Sequence, residues 1–220
     1  MNAKPNLFLS ARRMLAVLVV LVLSGGLGAA QAEGGADLFQ QSYDDEATGK
    51  LAEALADIER LPEGRKDTYT AQLRRGWLQY RLGQNAVSVE SYKRAAALVP
   101  TSVEARVGML LPLLADRRFG TAEKAARDAL KLDPHNYLAT LRLAWSLYNL
   151  GQYGDALALY RKLTDAYPSD VDVRAGLGWS LVKLGRNTEA AAEFRQVLEI
   201  APKHALAREG AQLVGGLTAK

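Results

Sequence analysis

Four prolines, Pro100, Pro134, Pro168 and Pro202, stand 34 residues apart along a chain of 220 residues. Each closes a helix-like apolar stretch, and the segments between them superimpose at many positions. A fixed period of this length demands an array of like helical hairpins, each burying its apolar face on the next. A globule around one central pocket does not repeat in this way.

The segments are 69–102, 103–136, 137–170 and 171–204. In the third, apolar residues recur at helical spacing from Leu138 to Leu150, Gly151-Gln152 interrupts them, and a second helical stretch runs from Tyr153 to Ala166. Pro168 ends it, since proline has no N–H to donate and disfavours helix in the residue before it. Aligned on the period, the first helix (helix A) has a column Gly76, Leu110, Ala144, Gly178, and the turn has Gly83, Arg117, Gly151, Gly185. The second helix (helix B) has a column Ser88, Ala122, Ala156, Ala190, then Tyr92, Ala126, Tyr160, Phe194, then Ala95, Ala129, Leu163, Val197. Small residues let backbones approach, and bulky ones fill the gap in the next layer.

With a small residue in helix A, glycine at the turn, alanine then an aromatic in helix B and a closing proline, residues 69–204 resemble the tetratricopeptide repeat family. The resemblance implies an all-α fold: a right-handed superhelical solenoid of antiparallel helix pairs, with a concave groove lined by the A helices. It also implies protein binding rather than catalysis.

The flanks fit the same scheme less well. Asp37–Tyr43 reads as a short helical stretch, and Leu51, Leu55, Ile58 and Leu61 form an apolar stripe ended by Pro62 and Gly64. Residues 33–68 are therefore expected to form a shortened, degenerate capping repeat, with Asp44-Asp45-Glu46 as a solvated loop or the acidic start of the following helix. Residues 205–220 are expected to form a capping helix, Ala205–Val214, ended by Gly215-Gly216, and a fraying tail. At the N-terminus, Lys4, Arg12 and Arg13 precede the ten-residue apolar run Met14–Leu23 and the sequence Ala30-Gln31-Ala32. That order predicts a signal peptide, residues 1–32, cleaved after Ala32, and a periplasmic location. The run falls well short of the roughly 20 residues of a spanning helix, so contact with a membrane is expected only through this segment if it is retained.

Export removes three of the 28 Lys and Arg and none of the 24 Asp and Glu, so a net charge of +4 falls to +1. The basic balance belongs to the leader, and nucleic acid is not an expected partner. The chain has no cysteine, which excludes disulfides, thiolate metal sites and a cysteine nucleophile. His135 and His204 sit just after closing prolines, in inter-repeat turns and in columns read as equivalent, and no metal-ligand spacing, nucleophile motif or phosphate loop accompanies them. Neither a cofactor nor an enzymatic activity is expected.

The second segment breaks the pattern. Leu110 replaces the small residue, Arg117 the turn glycine and Ala126 the aromatic, and Pro112 lies inside helix A. Pro112 either kinks the helix and reshapes the groove, eased by Gly108 four residues earlier, or is a tolerated irregularity beside a Leu110/Ala126 exchange of volume.

All three tryptophans fall in one column, Trp77, Leu111, Trp145, Trp179, and three residues on stand Tyr80, Leu114, Tyr148 and Val182. Residues three apart share a helix face, and the family resemblance places that face on the groove. An aromatic and aliphatic ladder there, with Arg74, Arg81, Arg106, Arg142 and Arg174 near its rim, has the composition of a protein interface. It would bind a peptide or helix of another protein. Two other readings stay open: the tryptophans pack inward between A helices, or copies of the chain associate through this surface as a homo-oligomer. Some chaperone-binding relatives clamp an acidic C-terminal tail with lysine and asparagine on their first A helices. Leu73, Arg74 and Trp77 occupy the comparable places here, so such a tail is not expected. The expected role is an exported adaptor or scaffold in an envelope assembly. A chaperone-like holder of unfolded or transiting clients, or a membrane-anchored assembly factor, would use the same face.

Overall fold

The computed structural model describes residues 26–218, and twelve α-helices make up its regular structure. The A helices are α1 (Gly26–Ala47), α4 (Tyr69–Arg81), α6 (Val103–Ala115), α8 (Tyr137–Asn149), α10 (Val171–Lys183) and α12 (Ala205–Thr218). The B helices are α2 (Leu51–Glu59), α5 (Asn85–Leu98), α7 (Phe119–Leu132), α9 (Tyr153–Ala166) and α11 (Asn187–Ile200), with a one-turn helix, α3 (Glu63–Lys66), inserted after α2. Apart from α3, past which α2 packs on α4, each helix packs on the next in the chain, and from α4 to α12 the A helices touch the A helices of adjacent pairs. The result is a solenoid of antiparallel helix pairs. Residues 1–25, which hold most of the expected leader, lie outside the described residues, as do residues 219–220 of the tail.

Local chemistry repeats with the period. Thr68, Ser102, Asn136 and Asp170 each cap the A helix that follows, the side-chain oxygen accepting from the backbone N–H three residues on; each such cap contributes about 1 kcal/mol. His204 is the fifth member of this column: its Nδ1 accepts from Ala207 N at 3.2 Å. His135 lies one residue ahead of the cap Asn136, so the two histidines are not equivalent as the sequence reading had them. Each A helix from α1 to α10 ends in a left-handed turn residue, with φ of 81° at Gly49, 73° at Gly83, 79° at Gly151 and 73° at Gly185. Arg117 adopts the same turn at φ 56°, a conformation that crowds a Cβ against backbone.

Gly49 lies one period before Gly83, and Ser42 and Ala54 fall in the small columns of Gly76 and Ser88. The N-terminal unit is thus in register, with a longer first helix than the expected Asp37–Tyr43. Asp44, Asp45 and Glu46 form its last turn rather than a loop or a helix start. At the other end α12 continues through Gly215-Gly216, where the sequence suggested a stop.

The core is built from aromatic wedges. Tyr92 of α5 lies between α4 and α6: a Cβ at Gly76 would sit 3.0 Å from its ring, and one at Gly108 only 2.3 Å. Phe194 lies in the same way between Gly178 and Gly210, at 2.6 and 2.2 Å, and Tyr160 faces Gly176 at 2.5 Å. The Tyr92 ring by itself excludes a Cβ at Gly108. α6 runs as one helix through a buried Pro112. In the irregular layer, Leu110 and Ala126 are both fully buried in one cluster, and Arg142 occupies the column that holds Gly108, Gly176 and Gly210 elsewhere.

Candidate functional site

Two hollows lie along the face made by the A helices. The first, of about 710 Å³, opens between α1, α4, α6 and α8, with Tyr43, Trp77, Tyr92 and Leu111 on its wall. The second, of about 500 Å³, opens between α6, α8, α10 and α12, with Leu114, Trp145, Tyr148 and Trp179 on its wall. Leu111 and Arg142 belong to both, so the hollows meet over α6 and α8.

The three tryptophans lie in different surroundings. Trp77 is half-buried and donates from Nε1 to Glu46 Oε1 at 2.6 Å. Trp179 is half-buried, donates to the Leu206 carbonyl at 3.1 Å and meets Phe194 edge-on at 5.8 Å. Trp145 is 43% exposed and stacks on Tyr148 at 6.0 Å with 9° between the rings. Its indole N–H has no partner among the described residues. Tyr80 tilts against Trp77 at 6.0 Å and is not on the wall of either hollow, nor is Val182, which packs against the core.

The arginines do not form a free rim. Arg74 is buried at 5% exposure. It donates to Ser42 Oγ at 3.1 Å and to the Ser42 carbonyl at 2.7 Å, pairs with Glu46, and lies 3.9 Å over the Tyr43 ring. Arg81 pairs with Glu46 at 3.2 Å and lies over Trp77. Burial alone would raise the Glu46 carboxyl, but the Trp77 hydrogen bond and the Arg74 and Arg81 charges outweigh it and hold the group below its ordinary value. Arg106 donates to the Ser102 carbonyl, and Arg174 pairs with Glu193 at 2.8 Å. Arg142 differs: its Nη1 donates to the Val107 carbonyl at 2.6 Å, and burial depresses its guanidinium pKa.

Tyr43 and Glu46 line the first hollow and were not foreseen. The signal was present, since Tyr43 stands 34 residues before Trp77 and extends the aromatic column by one repeat.

A tetratricopeptide repeat family model matches residues 39–103, 112–171 and 141–205, well over half of the chain. The chain belongs to the tetratricopeptide repeat family. The first match begins inside α1, so the N-terminal unit takes part in the repeat array. Tetratricopeptide repeat proteins are generally non-catalytic scaffolds for protein–protein interaction, and the fold of this chain supports such a scaffold. Among solved structures, a crystal structure of MamA shares 20% identity over 79% of this chain and 95% of that one, with a TM-score of 0.69. MamA 41-end from Desulfovibrio magneticus RS-1 shares 18% identity over 78% and 97%, with a TM-score of 0.72. TTC0263, a thermophilic tetratricopeptide protein in Thermus thermophilus, shares 20% identity over 82% and 98%, with a TM-score of 0.61. At such identities these likenesses establish the fold that this tetratricopeptide array shares with them.

Proposed function

We propose that this protein is an exported adaptor whose groove holds an apolar segment, extended or helical, of a partner protein in the cell envelope. The observation that carries the reading is Trp145. An indole 43% exposed, stacked on Tyr148 in a hollow walled by leucines, is apolar surface left to water. Tryptophan and tyrosine dominate interface energies because they bury much area with few rotamers to freeze. Each Å² of apolar surface covered contributes on the order of 25 cal/mol. Trp77 and Trp179, tied by their indole N–H groups to Glu46 and Leu206, serve as fixed walls around it.

Export is supported by the charged start, the short apolar run and Ala30-Gln31-Ala32. Cleavage after Ala32 would shorten α1 to residues 33–47. Leu38, Phe39, Ser42, Tyr43 and Glu46, which join α1 to α2 and α4, all lie beyond the cut. Mass spectrometry of the mature protein should find Glu33 at its start. An intact leader in the membrane fraction would make it an anchored assembly factor instead.

The groove is tested with Trp145→Ala and the wild type in a crosslinking pull-down from envelope extract, followed by titration of the purified partner. One saturable partner, lost in the variant at unchanged melting temperature, is the expected result. Undiminished binding by the variant removes the reading. Suppressed aggregation of unrelated clients would make the protein a holder, and Trp145-dependent self-association in ultracentrifugation would make the occupant a second copy.

A further inference from the structure

The same column of the repeat holds an arginine twice, and only one of the two has its acid. Arg74 and Arg142 stand two periods apart in equivalent places on α4 and α8. Arg74 shows what a guanidinium at this place requires: two bonds to Ser42, the face of Tyr43 and the Glu46 carboxylate, all from the preceding A helix. Two periods on, the residues equivalent to Ser42, Tyr43 and Glu46 are Leu110, Leu111 and Leu114. Arg142 is left with the Val107 carbonyl, and no carboxylate among the described residues lies within ion-pair distance of it. A guanidinium offers five N–H donors in a planar fork suited to a carboxylate, and a part-buried charge without a counter-ion is costly.

We infer that Arg142 is the specificity-determining residue of the groove, and that it pairs with an acidic side chain in the apolar segment that the groove binds. The inference rests on the groove reading proposed above. Five carboxylates line the hollows. Four are engaged, Glu46 by Trp77, Glu104 by Tyr69, Asp133 by Asn136 and Asp172 by His204, and the fifth, Glu209 of α12, lies beyond ion-pair distance of Arg142 on the wall of the second hollow. None competes for Arg142. The Tyr92 ring lines the same hollow as Arg142. Open space continues on both sides of Arg142, since it belongs to both hollows. A chain lying there passes over the guanidinium and continues, so the acid comes from a side chain and not from a C-terminus.

The test takes the full chain and, as probe, a randomised pool of twelve-residue peptides displayed on phage. Selected peptides should carry Asp or Glu between apolar residues. The strongest is then synthesised as selected, with its acid changed to the amide, and with an amidated C-terminus. On the wild type, changing the acid to the amide should weaken binding by roughly tenfold or more, and C-terminal amidation should change nothing. On Arg142→Gln the acid and amide peptides should bind alike, with circular dichroism confirming the fold. On Trp145→Ala both should weaken by the same factor. Equal binding of acid and amide peptides on the wild type overturns the inference and leaves the groove reading standing. A loss on C-terminal amidation overturns the side-chain source. Peptides indifferent to Trp145→Ala overturn the groove reading itself, and this inference with it.

Discussion

The layer around Tyr92 and the layer around Ala126 do the same task with opposite volumes. In the first, a buried tyrosine fills the space between two A helices, and glycine stands on both sides of it, at Gly76 and Gly108. In the second, Ala126 brings no ring, Leu110 is fully buried in the same cluster, and Arg142 stands on the next A helix in the column of Gly108. A smaller residue on helix B goes with larger ones on the flanking A helices, as close packing favours. The difference has a functional side. A ring from helix B goes with glycine on the next A helix, whereas its absence at Ala126 goes with a guanidinium on the groove wall.

The comparison breaks most sharply at Gly108. Gly108→Ala places a methyl 2.3 Å from the Tyr92 ring, which cannot retreat because Gly76 already approaches its other side. Urea denaturation should show a loss of about 2–3 kcal/mol. Gly120→Ala, on a helix surface with nothing within 4 Å, should instead gain about 0.5–1 kcal/mol. Equal effects would mean that the wedge does not govern the layer.

Next in size is the reciprocal experiment in the irregular layer. Ala126→Tyr should destabilise by about 1–3 kcal/mol, because Leu110 is already fully buried beside it and Arg142 stands where the other layers have glycine. Combining it with Arg142→Gly should recover a good part of that loss, with a coupling of about 1 kcal/mol or more in a double-mutant cycle. Strict additivity would show that the two positions do not share volume.

The smallest expected effect is at the turn. Arg117 makes the same hydrogen bonds as Gly83 and Gly151, to the carbonyl three residues back, but carries a Cβ at φ 56°. Arg117→Gly should raise stability by about 1 kcal/mol, seen as a higher melting temperature. A fall would show that the Arg117 contact with Phe119 outweighs the strain.

The period alone made much of this legible. The four prolines aligned the columns, and the columns foretold the helix pairs, the turn glycines and the alignment of Trp77, Trp145 and Trp179 on one face. The capping repeat was under-read because its proline, Pro62, stands four residues ahead of the register position, which Lys66 of α3 occupies, although Ser42, Gly49 and Ala54 keep the register. Arg74 was misplaced as a rim residue because a long cationic side chain on a helix is usually solvated, and only Glu46 and Ser42 from another helix make its burial tolerable.

By itself the sequence determined what repeats: helix, turn and cap recur every 34 residues because each is decided by local bonding and small-residue spacing. The tertiary structure decided what the repeats do to one another. The aromatic column of helix B and the glycine–arginine column of the next A helix vary together, yet nothing local says that they touch. Stacking neighbouring pairs brings Tyr92 against Gly108 and leaves Arg142 where the neighbouring helix B has Ala126 and no ring. Side-chain volume and charge acquire meaning only across that interface, where a gap must be filled and an arginine needs its acid.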